Sequence, residues 1–246
     1  MLRFYLLLST AATLPATGWP QTLEQRIAAV ESGKVRLSFA ARPGVCGDGD
    51  QNINIQDSED WEVECESQPV RVSLTLRNHQ VIALRTFVGG HWRNAPAAKD
   101  LGTVGPRKAA AYFLHLAWSR TDLSGDPVLP ATLADSITIW PSLLQLARSS
   151  RLPMERRRSA VFWLGQAAGA AVDGALDSIV GDMGTEREVR KQAVFALSQR
   201  SSEDAVPALI RIARTNRDPE LRKSALFWLG QSNDPRAVDL FEEILR

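Results

Sequence analysis

Arg157-Arg-Ser-Ala-Val-Phe-Trp-Leu164, Arg190-Lys-Gln-Ala-Val-Phe-Ala-Leu197 and Arg222-Lys-Ser-Ala-Leu-Phe-Trp-Leu229 are three copies of one phrase, and Arg107-Lys-Ala-Ala-Ala-Tyr-Phe-Leu114 is an earlier fourth. The last three copies start 33 and then 32 residues apart. That period holds one helix, a turn, a second helix and another turn, and a repeat of this size decides architecture before any single motif does. Such units stack into an α-solenoid, which offers a long contact surface.

The second helix of each unit is legible too. Pro141-Ser-Leu-Leu-Gln-Leu-Ala-Arg148 matches Pro207-Ala-Leu-Ile-Arg-Ile-Ala-Arg214 position by position, 66 residues apart, or two periods of 33. Residues 175–180 and 238–245 fill the same slot in their own units. Asp218-Pro219 and Asp234-Pro235 place an N-cap side chain before an N1 proline, and Thr185 with Glu188 has the spacing of a capping box. The sequence therefore predicts about four helix pairs over 106–246, the first stretched by an insertion at 119–138.

The pattern of Arg, a basic residue, x, Ala, x, Phe, x, Leu, Gly in these copies resembles the HEAT repeat, and looks most like the short bacterial HEAT-like repeats first described in phycobilin lyases. The resemblance covers roughly 106–246 and is strongest over 157–246. Ser198 and His115 replace the glycine after Leu, and Arg156 stands where a hydrophobic residue is expected. What the resemblance implies is an α-solenoid used for protein recognition. It transfers no catalytic residue.

Residues 19–90 read differently. Thr22 and Gln25 form a capping box before a short helix whose apolar face is Leu23, Ile27 and Val30. From Lys34 the period becomes two: Val35, Leu37 and Phe39 alternate with polar or small residues, as do Trp61, Val63 and Cys65. Val70, Val72, Leu74 and Leu76, then Ile82, Leu84, Thr86 and Val88, flank Arg77-Asn-His-Gln80, which reads as a β-hairpin turning at Asn78. The expected fold class is α+β, a small antiparallel β module followed by the all-α HEAT-like solenoid. One face of the sheet must be covered by the preceding helix or by the solenoid. Residues 91–105, with Pro96, Gly102 and Gly105, read as a connector.

Charge narrows the partner classes. Of the 29 basic and 28 acidic residues, 13 and 14 precede residue 141 and 16 and 14 follow it, so neither half has the sustained basic excess of a nucleic-acid binder. Residues 1–18, with Arg3, an apolar run from Phe4 to Leu8 and Ala16-Thr-Gly18, have the form of a secretory leader. They are too short in apolar residues, and too interrupted by Pro15, to span a bilayer stably. The chain is accordingly expected outside the cytoplasm, secreted or periplasmic. In that compartment the only two cysteines, Cys46 and Cys65, are expected to pair, stabilising the module by about 3 kcal/mol.

On a helix, Leu221, Ala225, Trp228 and Leu229 share one face, the expected core, while Lys223, Phe227 and Gln231 share another. The second set recurs as Arg158, Phe162 and Gln166 and as Lys191, Phe195 and Gln199. Stacked, the three sets would make basic, aromatic and amide columns, the candidate binding strip. The rival reading wedges each Phe between repeats. Between Asp48 and Glu66 lie eight acidic residues and no basic one, and Asp48, Asp50, Asn52 and Glu59 match calcium-loop positions. Ile53 stands where that loop needs glycine, so a fortuitous acidic turn is the better reading and no metal is assigned.

The three histidines, His79 in the hairpin turn, His91 in the connector and His115 on the first repeat helix, form no catalytic motif, and His115 reads as a core or inter-repeat residue. The run Glu155-Arg-Arg-Arg158 reads as a solvated helix start. The expected role is non-catalytic binding of another protein, with no cofactor. The alternative is an enzyme or enzyme accessory of the lyase-associated HEAT-repeat type, and a weaker third is a calcium-dependent adhesion module.

Overall fold

The computed structural model describes residues 21–49, 53–55, 67–93, 97–119, 123–167 and 170–246. The leader, Cys65, Trp61, Val63 and most of the acidic stretch lie outside the described residues.

A short helix α1 (Leu23–Ala28) opens the described chain, with Thr22 accepting from the Gln25 amide and Gln25 answering the Thr22 amide. β1 (Gly33–Phe39), β4 (Val70–Arg77), β5 (Gln80–Val88) and β6 (Ala98–Thr103) form one sheet in the order β5-β4-β1-β6, and β2 (Val45–Gly47) pairs with β3 (Ile53–Ile55) in a separate ribbon. Val35, Leu37, Phe39, Val70, Val72 and Leu74 have no exposed surface, the alternation that period-two patterning demands. Asn78 and His79 take φ of 51° and 63° in a two-residue turn, the geometry that matches strand twist. The turn is tied down: the His79 amide donates to Glu31 and its Nδ1 lies 2.8 Å from the Ala28 carbonyl oxygen.

Two expectations fail in this module. The sheet is mixed and not purely antiparallel, because β6, read as connector, lies parallel to β1. Its sequence hides it: only Leu101 of β6 is buried, and Gly102 at φ +68° interrupts the pattern where the register with β1 shifts between Arg36 and Ser38. On β5 a bulge opposite Thr75 and Leu76 turns Val81 inward in place of Ile82, while Leu84 and Val88 face the core as expected. A one-residue slip exchanges faces.

The helical region comprises α2 (Pro106–Ala117), α3 (Val128–Thr132), α4 (Trp140–Arg148), α5 (Met154–Gly165), α6 (Ala170–Gly181), α7 (Arg187–Ser198), α8 (Ser202–Thr215), α9 (Pro219–Gln231) and α10 (Pro235–Leu245). The pairs are α5/α6, α7/α8 and α9/α10, while in the stretched first unit α2 packs on α3 and α4 packs on α5. α5, α7 and α9 pack side by side as a first row, with α4, α6, α8 and α10 behind them. α8 starts at Ser202, well before Pro207, which lies inside the helix. Pro141, by contrast, sits within the first turn of α4, so the matched prolines do not mark equal helix starts.

α2 and the insertion join the modules. Ala109, Ala110, Tyr112 and Phe113 of α2, together with Leu123, Ala131, Leu133 and Ala134, complete the sheet's core, and Ala117 and Val128 belong to the repeat core. The Arg42 amide donates to Leu133 and the Asp135 amide to Ala40, stitching the insertion to the chain after β1. The Ser124 amide and carbonyl bond the edge of β5. Asp126 accepts from Ser159 Oγ at 2.6 Å and Trp163 Nε1 at 3.3 Å on α5.

Candidate functional site

The strip stands on the first row of helices, and the positions that hold that row together are the other repeated ones. Leu221, Ala225 and Leu229 are buried, as are Ala160, Leu164, Ala193 and Leu197 at the equivalent places. Gly165 lets α5 and α7 approach so closely that a Cβ there would lie 2.7 Å from the Ala196 Cβ. Trp228, expected in the core, is only half-buried, and so is Trp163.

The first Arg of each of the last three copies is structural, whereas Arg107 is exposed. Arg157 is 1% exposed, donates Nε to the Ala147 carbonyl at the end of α4 and pairs with Glu186, the N-cap residue of α7. Arg190, 4% exposed, repeats this with the Val180 carbonyl of α6 and with Asp218, the N-cap of α9. Each guanidinium thus satisfies orphan carbonyls of one helix and binds the cap of the next. Arg222 bonds the Asn216 carbonyl at 2.8 Å. The Arg157 contact holds the Glu186 carboxyl below its ordinary range, and Arg187 does the same for Asp218.

The run Glu155 to Arg158 is therefore not simply solvated, since Arg156 and Arg157 are both buried. Arg156 occupies the hydrophobic slot and donates to the Ala117 and Ser119 carbonyls, and burial lowers its pKa. At the caps, Asp218 and Asp234 accept from the amides two residues on. Thr185 does not cap α7: its hydroxyl bonds Asp182 instead, and Glu186 takes the cap position.

The nine strip residues lie on the same row as read from the sequence. Arg158, Lys223, Gln166, Gln199 and Gln231 are exposed, and Lys191 is half-buried beside Glu188 at 3.8 Å. Phe162 is 37% exposed and Phe227 58%. Phe195 is half-buried because its ring rests on Trp228 of the next helix, centroids 5.0 Å apart. Phe162 has Ala196 in the corresponding place on α7 and stacks edge-on against its own Trp163 instead. Phe227 makes the same edge contact with Trp228 at 4.9 Å. With neighbouring helices about 8–10 Å apart, the three rings form a spaced aromatic row flanked by cations. The wedge reading of Phe thus fits Phe195 in part and not the other two.

On the opposite row most arginines are paired, Arg148 of α4 being exposed without an ion pair among the described residues. Arg211 pairs with Asp177, Arg214 with Glu243, Arg200 with Asp173 and Arg236 with Asp234. A groove of about 340 Å³ runs there among Asp177, Arg190, Arg211 and Ile212. Arg158 and Lys223, on the first row, have no such ion pair among the described residues. Gln166 also borders a cleft of about 270 Å³ with Arg42, Trp140 and Trp163, where the two modules meet.

His115 is exposed, so its expected packing role fails, and His79 serves the turn. Among the described residues no three His, Cys, Asp or Glu side chains gather as a metal set, and no helix is long and apolar enough to cross a membrane. Cys46 lies on β2, and its expected partner is outside the described residues.

Residues 183–246 match the model of HEAT repeats. This spans α7 to α10 and supports a HEAT-like repeat protein, a class of scaffold that often mediates protein interaction. No curated protein matches the chain.

Proposed function

We propose that the chain is a non-catalytic, extracytoplasmic protein-binding scaffold, and that its contact surface is the α5/α7/α9 row carrying Arg158, Phe162, Gln166, Lys191, Phe195, Gln199, Lys223, Phe227 and Gln231. The observation that carries the reading is the exposure of Phe162 and Phe227 beside Arg158 and Lys223, cations without an acidic partner among the described residues. Large aromatics left in water beside cations are the residues that dominate binding energy at protein interfaces. The opposite row, where Arg211, Arg214 and Arg236 are each held by a carboxylate, has fewer free cations to offer a partner.

Cleavage of residues 1–18 and a Cys46–Cys65 bond belong to the same proposal, and mass measurement of the mature chain with and without reduction tests both. The contact surface is tested by affinity capture from the extracytoplasmic fraction, comparing wild type with Phe162→Ala/Phe195→Ala/Phe227→Ala. The expected result is that the captured partner disappears while the variant still unfolds cooperatively. An unchanged partner set in the folded variant would reject the surface.

A further inference from the structure

The outer face of the N-terminal sheet carries a second surface that the repeats do not explain. The inward side chains of β1 and β4 are buried, and the alternate residues facing outward are cationic or small: Lys34, Arg36 and Ser38 on β1, Arg71 and Ser73 on β4. Cross-strand register sets Arg85 beside Ser73, Ser73 beside Arg36 and Arg36 beside Asp100, and sets Phe87 beside Arg71. Trp92, just after β5, closes the end of this face.

Together Lys34, Arg36, Arg71, Phe87, Trp92 and Arg93 line a pocket of about 300 Å³. Arg36 is fixed there, donating Nε to Asp100 at 2.9 Å and a terminal nitrogen to the Arg93 carbonyl at 2.9 Å, with its guanidinium 5.5 Å from the Trp92 ring centroid. Arg71 donates to the Gly89 carbonyl at 2.8 Å. Lys34, Arg85 and Arg93 have no side-chain hydrogen bond or ion pair among the described residues. Among the described residues, four cations thus line the pocket, Arg85 flanks it beside Ser73, and Asp100 pairs with Arg36.

We infer that this pocket is a docking site for an acidic peptide segment of a partner protein, separate from the repeat surface. Charge selects an anion, and fixed guanidinium groups with free neighbours favour carboxylates that can take several charge-assisted hydrogen bonds. The rings argue against single-stranded nucleic acid. Base stacking requires an open ring face, but Arg36 covers Trp92, Arg85 lies 6.0 Å over Phe87, and the two rings meet edge to face at 6.2 Å. The aromatic groups here stiffen the cations and offer an apolar wall.

The test is fluorescence anisotropy of a labelled short polyglutamate peptide titrated with the full chain at low salt, against oligothymidylate of equal length. The expected result is saturable peptide binding that weakens as salt rises, is at least about tenfold weaker in Lys34→Gln/Arg85→Gln/Arg93→Gln, and exceeds oligothymidylate binding. The Phe162/Phe195/Phe227 alanine variant should bind the peptide like wild type, which keeps this site distinct from the repeat surface. If the triple glutamine variant loses its melting transition, Arg93→Glu alone is used, with weakening again expected. Absence of saturable peptide binding, unchanged affinity in the folded pocket variant, tighter binding of oligothymidylate, or loss of peptide binding in the repeat variant would each overturn the inference.

Discussion

The same phrase does opposite work at the two ends of the helical region. In α2 its aromatic pair, Tyr112 and Phe113, is 5% and 0% exposed, locked into the sheet's core. In α9 the equivalent Phe227 is 58% exposed and Trp228 half-buried. Position in a repeat therefore fixes where a side chain points, and the neighbouring element decides whether that direction is core or surface. α2 meets the sheet and the insertion, and α5 also touches the insertion, whereas α7 and α9 pack on other repeat helices.

The largest expected effect separates these two uses directly. Phe113→Ala should destabilise the chain by about 3–5 kcal/mol, the range for emptying a buried aromatic site, as read from chemical denaturation. Next, Arg190→Ala should cost about 1–3 kcal/mol, because the Val180 carbonyl loses its buried donor. Lys at that position should recover part of the charge but not the two-sided contact with Val180 and Asp218. Phe227→Ala should cost about 1 kcal/mol or less, an exposed ring and one edge contact being lost. If Phe227→Ala proved as destabilising as Phe113→Ala, the contrast between the two ends would collapse.

Acid should sharpen the contrast with a smaller effect. α2 begins at Gly105 without a side-chain cap or acidic first turn, while α9 and α10 begin at Asp218 and Asp234. Hydrogen bonding from Arg236 holds Asp234 down to about 2, and Arg187 lowers Asp218. Carboxylates lowered in the folded state add stability that is fully present above their unfolded value of about 4 and is lost as pH falls through the folded one. Melting temperature should thus fall between about pH 4 and pH 2, with amide exchange accelerating in α9 and α10 before α2. Asp234→Asn, which keeps a capping side chain, should flatten that fall.

Much of this was legible from residues. The last three helix pairs, the Asp218 and Asp234 caps, the hairpin turn and the placement of the nine candidate residues on one row of helices follow from period and turn chemistry, and these signals are local. What escaped was set by tertiary partners. β6 pairs through its backbone with only Leu101 buried, so it left no alternation to read. Arg156 and Arg157 look solvated in a charge run, yet each has main-chain carbonyls of a preceding segment to satisfy. The cationic pocket gathers β1, β4, β5 and the segment after β5, and its residues are spread so thinly along the chain that its net charge near zero conceals them.

The central claim is that partners contact the α5/α7/α9 row and not the row behind it. Site-specific photo-crosslinking tests it most directly, with a benzophenone amino acid placed at Phe227 on the first row in one protein and at Met183, which is 65% exposed beside the opposite groove, in another. The account predicts a partner adduct from position 227 and none from position 183. An adduct from position 183 with none from position 227, in proteins that melt like wild type, would contradict it.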